Sequence, residues 1–307
     1  MRVETKEEHL KVILQALFVT FLWSTSFIII KLGLKEIPPL TFAGLRYFLA
    51  FIFLLPLLLR KKYIDELKKL NRKEYPKLIL YGFVFIALTQ GAQFAGLSLL
   101  PSVVVSLMLN FSPLVVALMG YFLLTEKPTS IQWVGACLFI CGVLVYFLPV
   151  SLSSNEILGL AIMMFGILAN AGSSILGREI NRKKILSPFI ITIIGLGFGS
   201  ICLLAAGIFL QGISTISLIN IFLLVWMAGV NTAYAFTLWN KTLRSLTAIE
   251  SSIINGTMLI QIGVLAWIFL GETITFKESI GMMIAIVGVI LVQLKPGMKK
   301  SGFNKNY

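Results

Sequence analysis

The chain has 307 residues, of which 58% are hydrophobic and only 13% charged, with a formal net charge of +13 and a mean hydropathy of +0.94. A soluble globular domain carries roughly a quarter charged residues, so this composition excludes one and predicts an all-α integral membrane protein. The positive balance requires no nucleic acid, because loop topology and attraction to anionic lipid headgroups account for it.

Apolar runs of about 18 to 23 residues recur along the chain, enough to cross the roughly 30 Å hydrocarbon layer at 1.5 Å per residue. Ten transmembrane helices are predicted, over 12–31, 40–59, 77–97, 101–123, 130–148, 157–177, 189–210, 217–239, 247–270 and 277–294. Membrane strands are a poor alternative, because they need alternating polarity and these runs are apolar all round. The first span follows a short charged tail without a small-residue cleavage site, and is expected to stay as an anchor. In it, Trp23 shares a face with Thr20 and Phe27 and can stack against a planar or apolar part of a substrate, although aromatic residues also anchor membrane interfaces. In the second span, Arg46 lies about two turns in, where it either snorkels outward or pairs with backbone carbonyls, or attracts an anion or gates passage.

The third span carries Gln90 and Gln93 about one turn apart, and Pro101 opens the fourth. The fourth bears Ser102, Ser106 and Asn110 at successive i+4 steps, a polar stripe on an apolar helix, with Pro113 following. Glu126 sits in the turn "FLLTEKPTSIQWVG", where Thr129 and Gln132 form a capping box for the fifth span and Trp133 reads as an interface anchor. Asn170 and Ser173 lie in the sixth span, Asn231 and Tyr234 in the eighth, and Asn255 in the ninth. Amides and hydroxyls of this kind bind neutral or zwitterionic solutes, or bond helix to helix. Glu250, about one turn into the ninth span, is the candidate for proton coupling, since a partly desolvated carboxyl holds its proton more tightly; an interfacial role is the alternative. Cys137, Cys141 and Cys202 fall inside spans with no other ligand-type residue beside them, and are expected as buried apolar side chains. No metal site and no cofactor are predicted.

The turn "IFLGETITFKESIG" repeats the outline of the first turn. A shift of 146 residues lays Glu126 on Glu272, Thr129 on Thr275, Gly135 on Gly281 and Gly142 on Gly288, and Thr275 with Glu278 repeats the capping box. The chain therefore divides into halves at 1–150 and 151–307, each with five spans. Five is odd, so the second half is inverted in the membrane, an arrangement that suits alternating access. Glu126 and Glu272 are expected to satisfy helix-end amides in their turns, with a direct part in transport as the other reading. With both termini in the cytoplasm, 22 of the 26 Lys and Arg residues fall on the inside and only Lys31, Lys35 and Lys277 on the outside, which fixes the predicted topology.

"LWSTSF" at Leu22 to Phe27, Pro39 with Arg46 in "PLTFAGLRYFLA", the run from Pro101 through Pro113 to Glu126, and the spacing of Gly135 and Gly142 carry a family resemblance. The chain resembles the drug/metabolite transporter superfamily, in particular its EamA-type ten-helix members, over nearly its whole length. The second half departs from the pattern with Leu259 where Pro113 would fall and with no match to Arg46. The resemblance implies a secondary carrier in the cell membrane, often an exporter of amino acids or other metabolites. It also implies a central cavity lined mainly by helices one, three, four, six, eight and nine. Of the competing classes, an enzyme needs a reactive constellation, yet His9 lies in the tail and Asp65 in a loop. A channel needs a filter-like loop or rings of charge, and none is visible.

Overall fold

Helix α1 (Lys6–Gly33) and α2 (Pro39–Leu58) open the bundle, and Pro39 at the first position of α2 uses a site where the missing N–H would have had no helical partner. A short helix α3 (Lys61–Lys68) interrupts the basic loop before α4, which runs over Arg72–Leu99. The structure, a computed structural model, describes residues 6–124, 129–148, 153–182, 186–242, 246 and 248–293, with no strand among them. The fourth predicted span is divided into α5 (Ser102–Leu109) and α6 (Ser112–Leu124). The cause is Pro113, which removes the N–H that would have bonded the Leu109 carbonyl. Then follow α7 (Ser130–Phe147), α8 (Ser154–Arg182), α9 (Pro188–Gln211), α10 (Leu218–Trp226, Met227–Tyr234 and Ala235–Thr242 in sequence), α11 (Ala248–Leu270) and α12 (Phe276–Gln293). Six of these helices are long and apolar enough to cross a membrane, and shorter apolar helices lie at Ser102–Val116, Leu218–Tyr234 and Ile254–Leu270.

Two helices carry a wide π-helical turn in their middle. In α4 it spans Phe83–Gln90 and in α10 it spans Met227–Tyr234, so the third long helix of each half is opened at a corresponding place. In both segments a threonine hydroxyl reaches back five residues, Thr89 to the Val84 carbonyl at 2.9 Å and Thr232 to the Met227 carbonyl at 2.9 Å. Such turns mark functional positions more often than chance, because they rotate the side chains that follow.

The helix pairings exchange under the repeat. α1 packs on α11 as α8 packs on α6, α1 on α10 as α8 on α4, and α2 on α10 as α9 on α4. Three pairs are each other's counterparts: α2 with α9, α5 with α11, and α7 with α12. The last is built on glycine. A Cβ on Gly135 would lie 2.7 Å from the Gly288 carbonyl oxygen, and one on Gly142 would lie 2.6 Å from that of Gly281. The pairing runs antiparallel and is reciprocal, with backbone on backbone, as close helix approach in lipid requires. Both capping boxes are formed: the Thr129 amide donates to Gln132 Oε1 at 2.9 Å, and the Thr275 amide to Glu278 Oε2 at 2.6 Å.

The cysteines depart from expectation. Cys137 and Cys141 are exposed and Cys202 is partly so. They stand on outward faces, where a weakly polar thiol meets hydrocarbon as readily as it meets a packed core, so an apolar run alone does not tell the two sides apart.

Candidate functional site

The interior polar residues converge where α1, α2, α4 and α10 meet. Arg46 is 5% exposed, so it neither snorkels nor bonds backbone carbonyls, against one of the sequence readings. Its Nε donates to Thr232 Oγ1 at 3.1 Å and its Nη2 to Ser26 Oγ at 3.3 Å. The guanidinium also lies 5.4 Å from the Tyr47 ring centroid and 6.0 Å from that of Phe94. All these partners are neutral, and among the described residues no carboxylate lies within ion-pair distance of Arg46. Asn231, fully buried on α10, places Nδ2 2.6 Å from the Leu22 carbonyl, 3.1 Å from Thr25 Oγ1 and 2.8 Å from Ser26 Oγ. Among the described residues its Oδ1 is buried without a partner. Gln90, the last residue of the π segment of α4, accepts a 2.6 Å hydrogen bond from the Tyr47 hydroxyl. The two π segments thus deliver Gln90, Asn231 and Thr232 to one place against Arg46 and Tyr47.

The other candidates are distributed around this centre. Trp23 packs against Phe236 and Trp239, with ring centroids 5.4 and 5.3 Å away, and its Nε1 is buried with no partner among the described residues. Asn110 donates to the Ser106 carbonyl at 2.8 Å, so within the stripe on α5 it satisfies the backbone next to the Pro113 break. The Ser102 hydroxyl is buried with no partner among the described residues. Asn170 donates to Ser112 Oγ at 3.0 Å and ties α8 to α6. Gln93 is half-buried on α4, Asn255 is exposed, and Tyr234 is 53% exposed; none of the three joins the Arg46 cluster. Glu126 lies outside the described residues, as does the side chain of Glu250.

Glu272 lies between two helix ends. Its carboxylate accepts from the amides of Ser102 at 2.9 Å and Val103 at 3.4 Å, the first turn of α5. Beside it opens a cleft of about 450 Å³ lined by Lys31, Lys35, Ser98, Pro101 and Leu270, among others. The cleft stands at the ends of α1, α4, α5 and α11, four of the helices that the resemblance places around a cavity. Among the described residues no cluster of three or more metal-ligating side chains occurs.

Several members of the interior network escaped the sequence reading. Ser24 donates to Gln261 Oε1 at 2.9 Å, and Gln261 reaches Thr20 at 3.3 Å and Thr257 at 3.1 Å, joining α1 to α11. The i+4 pair Thr257 and Gln261 in an apolar helix was the available signal. Ser26 and Thr232 had none beyond their polarity.

A solved crystal structure shares the fold, with a TM-score of 0.66 at 15% identity over 92% of this chain and 97% of the other. In sequence, the chain is 27% identical over 300 residues to "Uncharacterized transporter YvbV" of Bacillus subtilis, covering 92% of each. It is 26% identical to "Probable amino-acid metabolite efflux pump" of Salmonella typhimurium, covering 90% of this chain and 92% of that protein. To "Uncharacterized inner membrane transporter YedA" of Escherichia coli K12 it is 25% identical, over 91% and 90%. The model of the EamA-like transporter family matches twice, over residues 10–148 and 157–294, and together the two matches take in nearly every described helix. The chain is a multi-pass membrane protein and belongs to the EamA-like transporter family.

Proposed function

We propose that this chain is a secondary active transporter that exports small metabolites, amino acids or drug-like solutes among them, by alternating access around the interior site at Arg46. The observation that carries the reading is the convergence of hydroxyls, amides and one guanidinium from four helices, two of them opened by π turns. Such donors and acceptors replace the hydration shell of a polar solute. The name of the Salmonella relative supports amino-acid-like cargo. The repeated architecture supports two access states of similar energy, exchanged by moving one half against the other.

In this reading both termini are cytoplasmic, the Lys31–Glu272 cleft is the outer mouth, and Glu250 in the first turn of α11 exchanges the coupling proton. Purified protein in proteoliposomes is expected to show saturable, gradient-dependent flux of one or more solutes from a panel of amino acids, nucleosides, organic acids and drugs. Non-saturating conductance instead would make it a channel. Glu250→Gln keeps the shape and removes the titration, so it is expected to stop proton-driven accumulation while leaving solute exchange. Normal accumulation by that variant would exclude Glu250 as the coupling group.

A further inference from the structure

A buried cation usually stands next to an acid, because a charge taken out of water is expensive unless it is paired. Among the described residues Arg46 departs from this. It is 5% exposed, and its hydrogen bonds go to two hydroxyls, so two of its donors are engaged out of the five a guanidinium carries. The planar fork that remains matches the two oxygens of a carboxylate. A polar group of the opposite sense adjoins it. Asn231 shares Ser26 Oγ with Arg46, at 2.8 Å against 3.3 Å, and its Oδ1 is a fully buried acceptor with no donor. The Asn231 amide cannot be turned to cure this, since a flip would set Oδ1 in place of Nδ2, 2.6 Å from the Leu22 carbonyl oxygen, with no hydrogen between two acceptors. Among the described residues, one end of the network is thus short of an anion and the adjacent end short of an N–H or O–H.

We infer that Arg46 binds the carboxylate of the transported solute and that Asn231 Oδ1 accepts from a donor on the neighbouring carbon, so the substrates are small α-amino or α-hydroxy acids. This rests on the carrier reading above and narrows it. The Phe94 and Tyr47 rings lie against the guanidinium, within 6.0 and 5.4 Å, and limit its access to water. They favour a ligand that brings its own charge to the fork over a neutral one. Tyr47 is held in turn by Gln90, which fixes the ring that Arg46 rests on.

The test compares ligands that differ only at the acid. Detergent-purified full-length protein is titrated with a pool of neutral L-amino acids, with a pool of the matching carboxamides, and with inorganic phosphate, and thermal unfolding is followed. The amino-acid pool is expected to stabilise at concentrations at least about tenfold lower than the carboxamide pool, as loss of a charge-assisted hydrogen bond implies. Arg46→Gln should abolish that difference and Arg46→Lys should keep part of it. Equal response to acids and carboxamides in the wild-type protein overturns the inference, and so does stabilisation by phosphate alone. If Arg46→Gln fails to fold, the wild-type comparison still decides. Saturable flux of a solute without any carboxylate binding would overturn the Arg46 assignment and leave the carrier standing. Carboxylate binding with no flux of any solute would do the reverse.

Discussion

Replacing Gly142 with alanine adds one methyl group at the place where α7 meets α12. The new carbon would lie 2.5 Å from the Ala285 amide nitrogen and 2.6 Å from the Gly281 carbonyl oxygen, where ordinary contact begins near 3.4 Å. The obstructing atoms are backbone, so no rotamer change relieves the clash, and the helices must separate by nearly 1 Å. Separation also loosens the reciprocal contact of Gly135 with Gly288, because both pairs lie on the same two rods. Overpacking of this kind typically costs about 1–3 kcal/mol, which lowers the melting temperature by roughly 2–6 °C. The comparison is Gly172→Ala in α8, where nothing among the described residues lies within 4 Å of the added carbon. There the loss of unfolded-chain entropy should stabilise by up to about 1 kcal/mol. Thermal unfolding of both variants in detergent, followed by size-exclusion fluorescence, reads the difference. A Gly142→Ala protein that melts with or above Gly172→Ala would refute the close antiparallel approach.

Three further outcomes follow from particular contacts. Glu272→Ala removes the acceptor for the Ser102 and Val103 amides, and a stability loss of about 1.5–3 kcal/mol is expected in thermal unfolding; Glu272→Gln, which keeps a neutral acceptor, should lose less, and equal losses would contradict the assignment. Glu36, in the loop before α2, is held below the usual carboxylate range by hydrogen bonds from Asn220 and Ser217. Its contribution is therefore present above the unfolded carboxyl pKa and disappears as pH falls through the lowered folded value, so Glu36→Gln should flatten that acid limb of the stability profile. Asn110→Leu removes a donor to the Ser106 carbonyl beside the Pro113 break, and is expected to lower stability and flux together; loss of flux at full stability would instead mark Asn110 as facing solute.

The parts of this protein that were legible in the sequence are those where lipid imposes a pattern or the chain repeats itself. Apolar length gave the helices, and the shared offset of Glu126 with Glu272 and Gly135 with Gly281 gave the repeat. The Thr129–Gln132 and Thr275–Glu278 caps were readable because capping has fixed spacing. Helix faces were not. Inside a membrane the outward and inward sides of a helix are equally apolar, so Cys137 and Cys141 looked buried although they are exposed. The π turns left no mark in the sequence, because their composition matches that of the helices around them. They decide which way Gln90, Asn231 and Thr232 point. Ser26 shows the same limit: serines and threonines in apolar helices mostly return their hydroxyls to their own backbone, as Thr25 does to Leu22 at 2.7 Å. Nothing in "LWSTSF" says that Ser26 also receives Arg46 and Asn231 from two other helices.

The crossing of α7 and α12 is a surface that fits its own inverted copy, since Gly135 meets Gly288 while Gly142 meets Gly281. A five-helix chain that ended after α7 would already carry both glycines, and two such chains threaded through the bilayer in opposite senses could dock without any further invention. Separate chains would have to be inserted both ways in equal numbers. Joining the halves in one polypeptide fixes that ratio at one to one, and it frees the halves to diverge. Arg46, which has no counterpart in the second half, is an asymmetry that two identical five-helix chains could not carry.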